Sequence, residues 1–114
     1  MKLTLPWPPS VNTYWRNLNG RTLISQDGRA YRANAYAAVT EQAPGRLRGR
    51  VRVSILTHQP DRRRRDLDNL PKAVLDALTF ASVIEYDSLI DDLRITRGPV
   101  DRANPRLILT LEAL

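Results

Sequence analysis

The densest chemistry in the chain lies in Asp61–Lys72, DRRRRDLDNLPK, where four consecutive arginines run into an Asp-Leu-Asp and then a lysine. In extended backbone, alternate side chains point the same way, which would put Asp66 and Asp68 on one side. Lys72 falls one helical turn past Asp68 if a helix begins there. Two carboxylates and a lysine converging on one small volume suit Mg²⁺, a hard cation that takes carboxylate oxygens and keeps waters for a substrate phosphate. Such a centre polarises a phosphoryl oxygen, lowers the pKa of a bound water and stabilises charge on the leaving oxygen. Lys72 would add positive charge where the transition state becomes more anionic, or orient the attacking water. Arg62, Arg63, Arg64 and Arg65 would grip the phosphate backbone and make binding strongly salt-dependent.

Plainer readings compete with each piece. An arginine run can be a solvated or phosphate-contacting face with no catalysis. Asp-x-Asp before a helix can be capping plus surface charge. Asp68 and Lys72 can form an i, i+4 pair worth a few tenths of a kcal/mol. A third carboxylate would strengthen the metal reading, and Glu85, Asp87, Asp91 and Asp92 in EYDSLIDD are all available. Spacing does not choose among them.

The elements that would position this segment are legible from their patterns. Residues 2–6 alternate as a first strand, and residues 7–12 (WPPSVN) are excluded from helix by Pro8 and Pro9. Asn19-Gly20 signals a hairpin, with 21–25 as the returning strand. Ser25 can cap a helix over 26–43, ended by Pro44-Gly45. In 50–58, Val51, Val53 and Ile55 share one strand face. The clearest element is a helix over 69–81. Leu70, Ala73, Val74, Ala77, Leu78 and Ala81 make one apolar face, with Asp68 as N-cap and Pro71 in the first turn. Residues 93–97 and 106–112 read as two more strands. Strands and helices intermix without a regular βαβ repeat, so the expected class is α+β, a small mixed sheet packed against two main helices.

With 114 residues and no repeats or interior linkers, one domain spanning 1–114 is expected. The chain has no cysteine, which removes disulfides and thiolate metal sites. MKLTLPWPP has one lysine but no continuous apolar stretch behind it, unlike a signal peptide, and no run reaches a membrane span. Cytoplasmic residence is therefore expected, with no membrane partner. The formal charge is +6, carried by sixteen arginines and two lysines. Arginine's flat fork matches phosphate oxygens and stacks on bases, so the balance points to nucleic acid or another polyanion. An arginine-biased genome is the alternative source of such a composition.

DRRRRDLDNLPKAVLDALT closely resembles the signature of the RusA family of Holliday junction resolvases. The opening LPWPPSVNTYWR, the Gly20-Arg21 pair and Tyr31-Arg32 resemble the same family, and the likeness spans nearly the whole chain. The resemblance implies a homodimeric, Mg²⁺-dependent endonuclease that nicks two opposed strands of a four-way DNA junction. It maps metal-binding aspartates onto Asp66 and Asp68, the essential lysine onto Lys72 and a DNA-contacting arginine onto Arg65. The family's third aspartate falls on Asp87. Here the chain departs from the family pattern, with Tyr86 in place of an acid and Leu89 in place of Gln, and Asp91 is the competitor. A twofold dimer would supply the two cuts that resolving a junction requires.

Weaker candidates complete the reading. Arg16 and Asn12 lie in the distinctive proline-rich opening. Arg29, Arg32 and Tyr36 fall at i, i+3 and i+7, a helix face that could track phosphates or simply be solvated. Trp7, Tyr14 and Trp15 fit packing of the proline-rich segment, with base stacking as the alternative. His58 fits a structural or phosphate-contacting role better than general-base catalysis. Two other functions stand beside junction resolution: a nuclease for other branched or flapped DNA, and a non-catalytic nucleic-acid-binding module.

Overall fold

In the computed structural model all 114 residues are described, apart from the side chain of Val11. The elements in chain order are β1 (Lys2–Pro6), α1 (Val11–Tyr14), β2 (Trp15–Leu18), β3 (Arg21–Ile24), α2 (Gln26–Gln42), β4 (Val51–His58), α3 (Pro71–Phe80), β5 (Ile90–Arg97) and β6 (Arg106–Ala113). Short 3-10 turns at Leu67–Asn69 and Asp87–Leu89 flank α3.

Four strands form one sheet in the order β1-β6-β4-β5, and β2-β3 make a separate hairpin. β1–β6 and β6–β4 pair antiparallel, whereas β4–β5 is parallel. The mixed α+β class expected from sequence is therefore present. What periodicity did not show is that β4, α3 and β5 form a single β-α-β crossover, the kind of long connection a parallel pair requires. β5 also begins at Ile90 rather than 93. It is an edge strand whose two faces both meet solvent in places, so its alternation is blurred.

Register explains the core. Leu3 pairs with Leu109 and Leu109 with Ile55, while Leu5 pairs with Leu107 and Leu107 with Thr57. These residues line one sheet face and are buried together with Ala73, Val74, Ala77 and Leu78 of α3 and Tyr31 and Ala35 of α2. Each large aliphatic side chain so buried contributes about 1.5–3 kcal/mol. The Gln42 carboxamide closes the β1 edge, accepting from the Thr4 N–H at 2.8 Å and donating to its carbonyl at 2.6 Å.

Local geometry follows the sequence signals with a few corrections. Asn19 and Gly20 both take positive φ (52° and 76°), the primed turn expected of Asn-Gly. The Ser25 hydroxyl accepts from the Gly28 N–H at 3.0 Å, capping α2. Gly28 itself cannot carry a side chain: a Cβ there would sit 2.5 Å from the Tyr14 carbonyl. The proline argument holds through Ser10, which is extended, but Val11 and Asn12 then open the one-turn helix α1. Helix α3 begins at Pro71 and ends at Phe80, and its N-cap is Leu70 rather than Asp68.

Candidate active site at the start of α3

The chain crosses from β4 to α3 through residues 59–70, and Asp61 organises that crossing. One Asp61 oxygen accepts from the Arg63 backbone N–H at 2.9 Å and from Arg65 Nη1 at 2.6 Å, and the other accepts from Arg65 Nη2 at 3.2 Å. The Arg65 fork, aided by the Arg63 N–H, holds the Asp61 carboxyl at about 2, below its usual range. Arg97, at the end of β5, donates to the Arg65 carbonyl. With Arg65 drawn inward, half-buried and 5.8 Å above the Trp7 ring, Arg62, Arg63 and Arg64 are left exposed.

Asp66 is extended, and its carbonyl accepts from the Asn69 N–H at 3.2 Å to close the 3-10 turn. Asp68 lies inside that turn, so the two aspartates are not the alternating pair of a strand. Both carboxylates are exposed, as is Lys72 in the first turn of α3. Neither carboxylate caps the helix: no side-chain cap forms at Asp66 or Leu70, and Pro71 offers no N–H there. Among the described residues neither aspartate pairs with Lys72 or with an arginine. The plainer readings of these residues, capping and an i, i+4 ion pair, are thus not what the structure contains.

The remaining acids are placed elsewhere. Asp87 follows α3, and one of its oxygens accepts from the Thr79 hydroxyl. From Pro71 to Thr79 the helix rises about 12 Å, so Asp87 stands at the opposite end of α3 from Asp66 and Asp68. Asp91 is paired with Arg50 at 3.2 Å, and Asp92 with Arg52 at 2.8 Å and Arg94 at 3.0 Å. Glu85 accepts from the Gly49 N–H at 2.7 Å. Among the described residues no three His, Cys, Asp or Glu side chains gather as a metal cage. The donors at the start of α3 are all carboxylate oxygens, which fits a hard cation that retains water ligands. His58, the only histidine, is engaged elsewhere, its Nδ1 lying 2.8 Å from the Pro99 carbonyl.

The other arginines named from sequence divide by role. Arg16 is exposed on β2. Arg29 donates to the Ile24 carbonyl at 3.2 Å. Arg32 is committed to the interior: its Nε and Nη2 reach Asp76 at 3.1 and 3.0 Å, and its guanidinium lies 4.7 Å from the Phe80 ring. The buried Tyr14 hydroxyl donates to the same Asp76 carboxylate, tying α1, α2 and α3 together. Burial, and then Asp76, push the Tyr14 phenol well above its ordinary range. Two contributors were not singled out from sequence alone: Arg97, which braces the arginine loop, and Asn69, which faces a cleft beside Asp66 that Trp7 also lines. Asn69's place within Asp-Leu-Asp-Asn was the one available hint.

The family model described as Endodeoxyribonuclease RusA matches residues 6–112. Proteins named crossover junction endodeoxyribonuclease RusA from Shigella sonnei (strain Ss046) and Escherichia coli (strain K12) are each 46% identical over 110 residues, covering 96% of this chain and 91% of theirs. The protein of that name from Enterobacteria phage 82 matches to the same extent, 46% over 110 residues. The likeness takes in every element from β1 to β6, and the chain belongs to the RusA family of endodeoxyribonucleases.

Proposed function

We propose that this chain resolves four-way DNA junctions by Mg²⁺-dependent paired nicking, acting as a homodimer in recombination and repair. One observation carries the site assignment. In a chain with sixteen arginines, the two carboxylates flanking Leu67, directly after four of them, hold no cationic partner among the described residues. Exposed acids beside a basic run gain stability from nearby cations, so leaving them unpaired favours a different ligand. Asp66 and Asp68 would hold the Mg²⁺, which when bound supplies Lewis acidity towards the phosphoryl group and a more acidic water. Arg62, Arg63 and Arg64, all exposed, grip the flanking phosphates. Lys72, in the first turn of α3, places positive charge against the charge that develops on the phosphate.

Asp87 is the favoured third carboxylate, because Asp91 is already engaged by Arg50. Its position at the far end of α3 favours a site in which Asp87 comes from a second copy of the chain. The dimer would then be required for a complete site and not merely for a second cut. Proteins of this family are named for crossover junctions, which favours four-way junctions over flaps as substrate.

The test is a synthetic four-way junction incubated with Mg²⁺, with the nicks mapped on all four strands. Symmetrically paired nicks are expected from the native chain. Asp68→Asn should lower cleavage by roughly 10²–10³-fold while still shifting the junction on a gel. Undiminished nicking by that variant would remove Asp68 from the site. A shift without cutting by the native chain would instead mark a binding module.

A further inference from the structure

The cleft beside Asp66 is lined in part by Arg64 and Arg65, which suit a phosphate, but the rest of its lining is not explained by phosphate binding. It encloses about 490 Å³, within the roughly 300–1,000 Å³ of small-ligand sites. Trp7 gives it a flat aromatic wall, and the buried Pro8 and Leu70 give it an apolar floor. The half-buried Asn69 contributes a side-chain carboxamide that makes no hydrogen bond among the described residues, only its backbone N–H being used. A phosphate seeks N–H donors and gains nothing from an indole face or a leucine. A nucleobase seeks a π surface to stack on, an apolar floor and a partner for its polar edge. A carboxamide suits that edge, since it offers both donors and an acceptor.

The wall is also fixed before any ligand arrives. Pro6, Pro8 and Pro9 restrict the backbone around Trp7, and the Pro6 carbonyl is held by the Tyr31 hydroxyl at 2.9 Å. Trp7 also meets the Arg65 guanidinium, which lines the same cleft and is clamped by Asp61. Asp66, a candidate metal ligand, lies in the same cleft wall, so whatever base enters belongs to a nucleotide next to the phosphate being cut.

We propose that this cleft captures the base flanking the scissile phosphate, Trp7 stacking on it and Asn69 hydrogen-bonding its edge. The pair then determines which sequences at a branch point are cut. This inference rests on the nuclease reading above, so its experiment has one arm that needs no cleavage.

In the first arm, junctions differing only in the bases at the branch point are cut with Mg²⁺ and the nicks sequenced. The native chain is expected to favour a few sequences. Asn69→Ala should shrink the ratio between favoured and disfavoured sites at least about fivefold, the scale of losing one base-edge contact. Trp7→Ala should flatten the distribution too, whereas Trp7→Phe, which keeps a ring, should preserve most of it. An unchanged distribution in both alanine variants overturns the proposal, as does a native chain that cuts every sequence equally. In the second arm, 2-aminopurine replaces the base beside the branch point and the complex is formed in EDTA. Stacking on Trp7 should quench its fluorescence relative to the Trp7→Ala complex, and equal signals overturn the proposal. A native chain that cuts no junction yet shows this Trp7-dependent quenching would defeat the nuclease reading while supporting base capture.

Discussion

Six carboxylates on the sheet, in the loops and within α3 differ sharply from the two at its start. Asp61, Asp76, Asp91, Asp92, Asp101 and Glu112 each hold an arginine. Asp66 and Asp68, closer in sequence to four arginines than most of these acids, hold none among the described residues. Asp61 produces part of the difference. By taking both amino groups of Arg65 it turns inward the arginine nearest Asp66, so the run ends without neutralising the acids that follow it. Paired acids contribute to the fold, and unpaired ones leave negative potential where a cation can use it. The chain thus places paired and unpaired acids within eight residues, from Asp61 to Asp68.

The largest effect that could break this comparison concerns Asp87, which is engaged only by a threonine and stands away from the other two. If each site takes Asp66 and Asp68 from one copy and Asp87 from another, then Asp68→Asn and Asp87→Asn variants should each be inactive alone. Mixed and allowed to exchange subunits, they form heterodimers in which one site is wholly native. Nicking should rise from background by roughly 10²-fold or more, limited to one strand per junction. Were all three acids drawn from one chain, the mixture would stay as inactive as its parts. That outcome would require Asp87 to leave Thr79 and travel the length of α3.

A second contrast lies in stability. Asp76→Asn weakens a carboxylate shared by Tyr14 and Arg32, joining three elements, and should cost about 1–3 kcal/mol. The Arg32–Asp76 pair is about a quarter exposed, which keeps the cost below that of a fully buried pair. Thermal melting should show a drop of several degrees. Asp68→Asn should leave the midpoint within the effect of about 0.5 kcal/mol, as expected of an exposed side chain that pairs with nothing. A comparable drop in both variants would erase the distinction between structural and functional acids.

Much of this division was legible in the residues, and what was not has identifiable causes. The apolar face of α3, the hairpin at Asn19-Gly20 and the Ser25 cap depend on local rules, and each stands where those rules place it. The parallel β4–β5 pairing depends on how a crossover helix returns the chain, which no local pattern encodes. At the site, Asp66, Asp68 and Lys72 were marked by type and spacing, but an extended backbone was the wrong expectation for Asp68. The Asn69 N–H bonds back to the Asp66 carbonyl and winds the segment into a 3-10 turn. Arg32 shares a helix face with Arg29 and Tyr36, which from sequence could track phosphates or simply be solvated. Its engagement by Asp76 came from an element 44 residues away, beyond any periodicity argument. Trp7 and Asn69 line one cleft from still farther apart in sequence, which is why the cleft emerges only from the fold.

The smallest expected effect bears on Asp61 itself. Its folded carboxyl is held at about 2 by the Arg65 fork and the Arg63 N–H, below the ordinary aspartate value near 3.9. A depressed carboxylate contributes stability that is fully present above its unfolded value and lost as pH falls through its folded value. The interaction should therefore be constant from neutral pH down to about 4 and disappear between about 4 and 2. Carbon-detected NMR of the Asp61 carboxyl should give a midpoint near 2, and Arg65→Gln should move it up towards the ordinary value. An Asp61 titration indifferent to Arg65 would mean that the clamp is weak in solution. Arg65 would then be able to turn towards Asp66, and the unpaired state of that carboxylate would no longer follow from the arrangement of the loop.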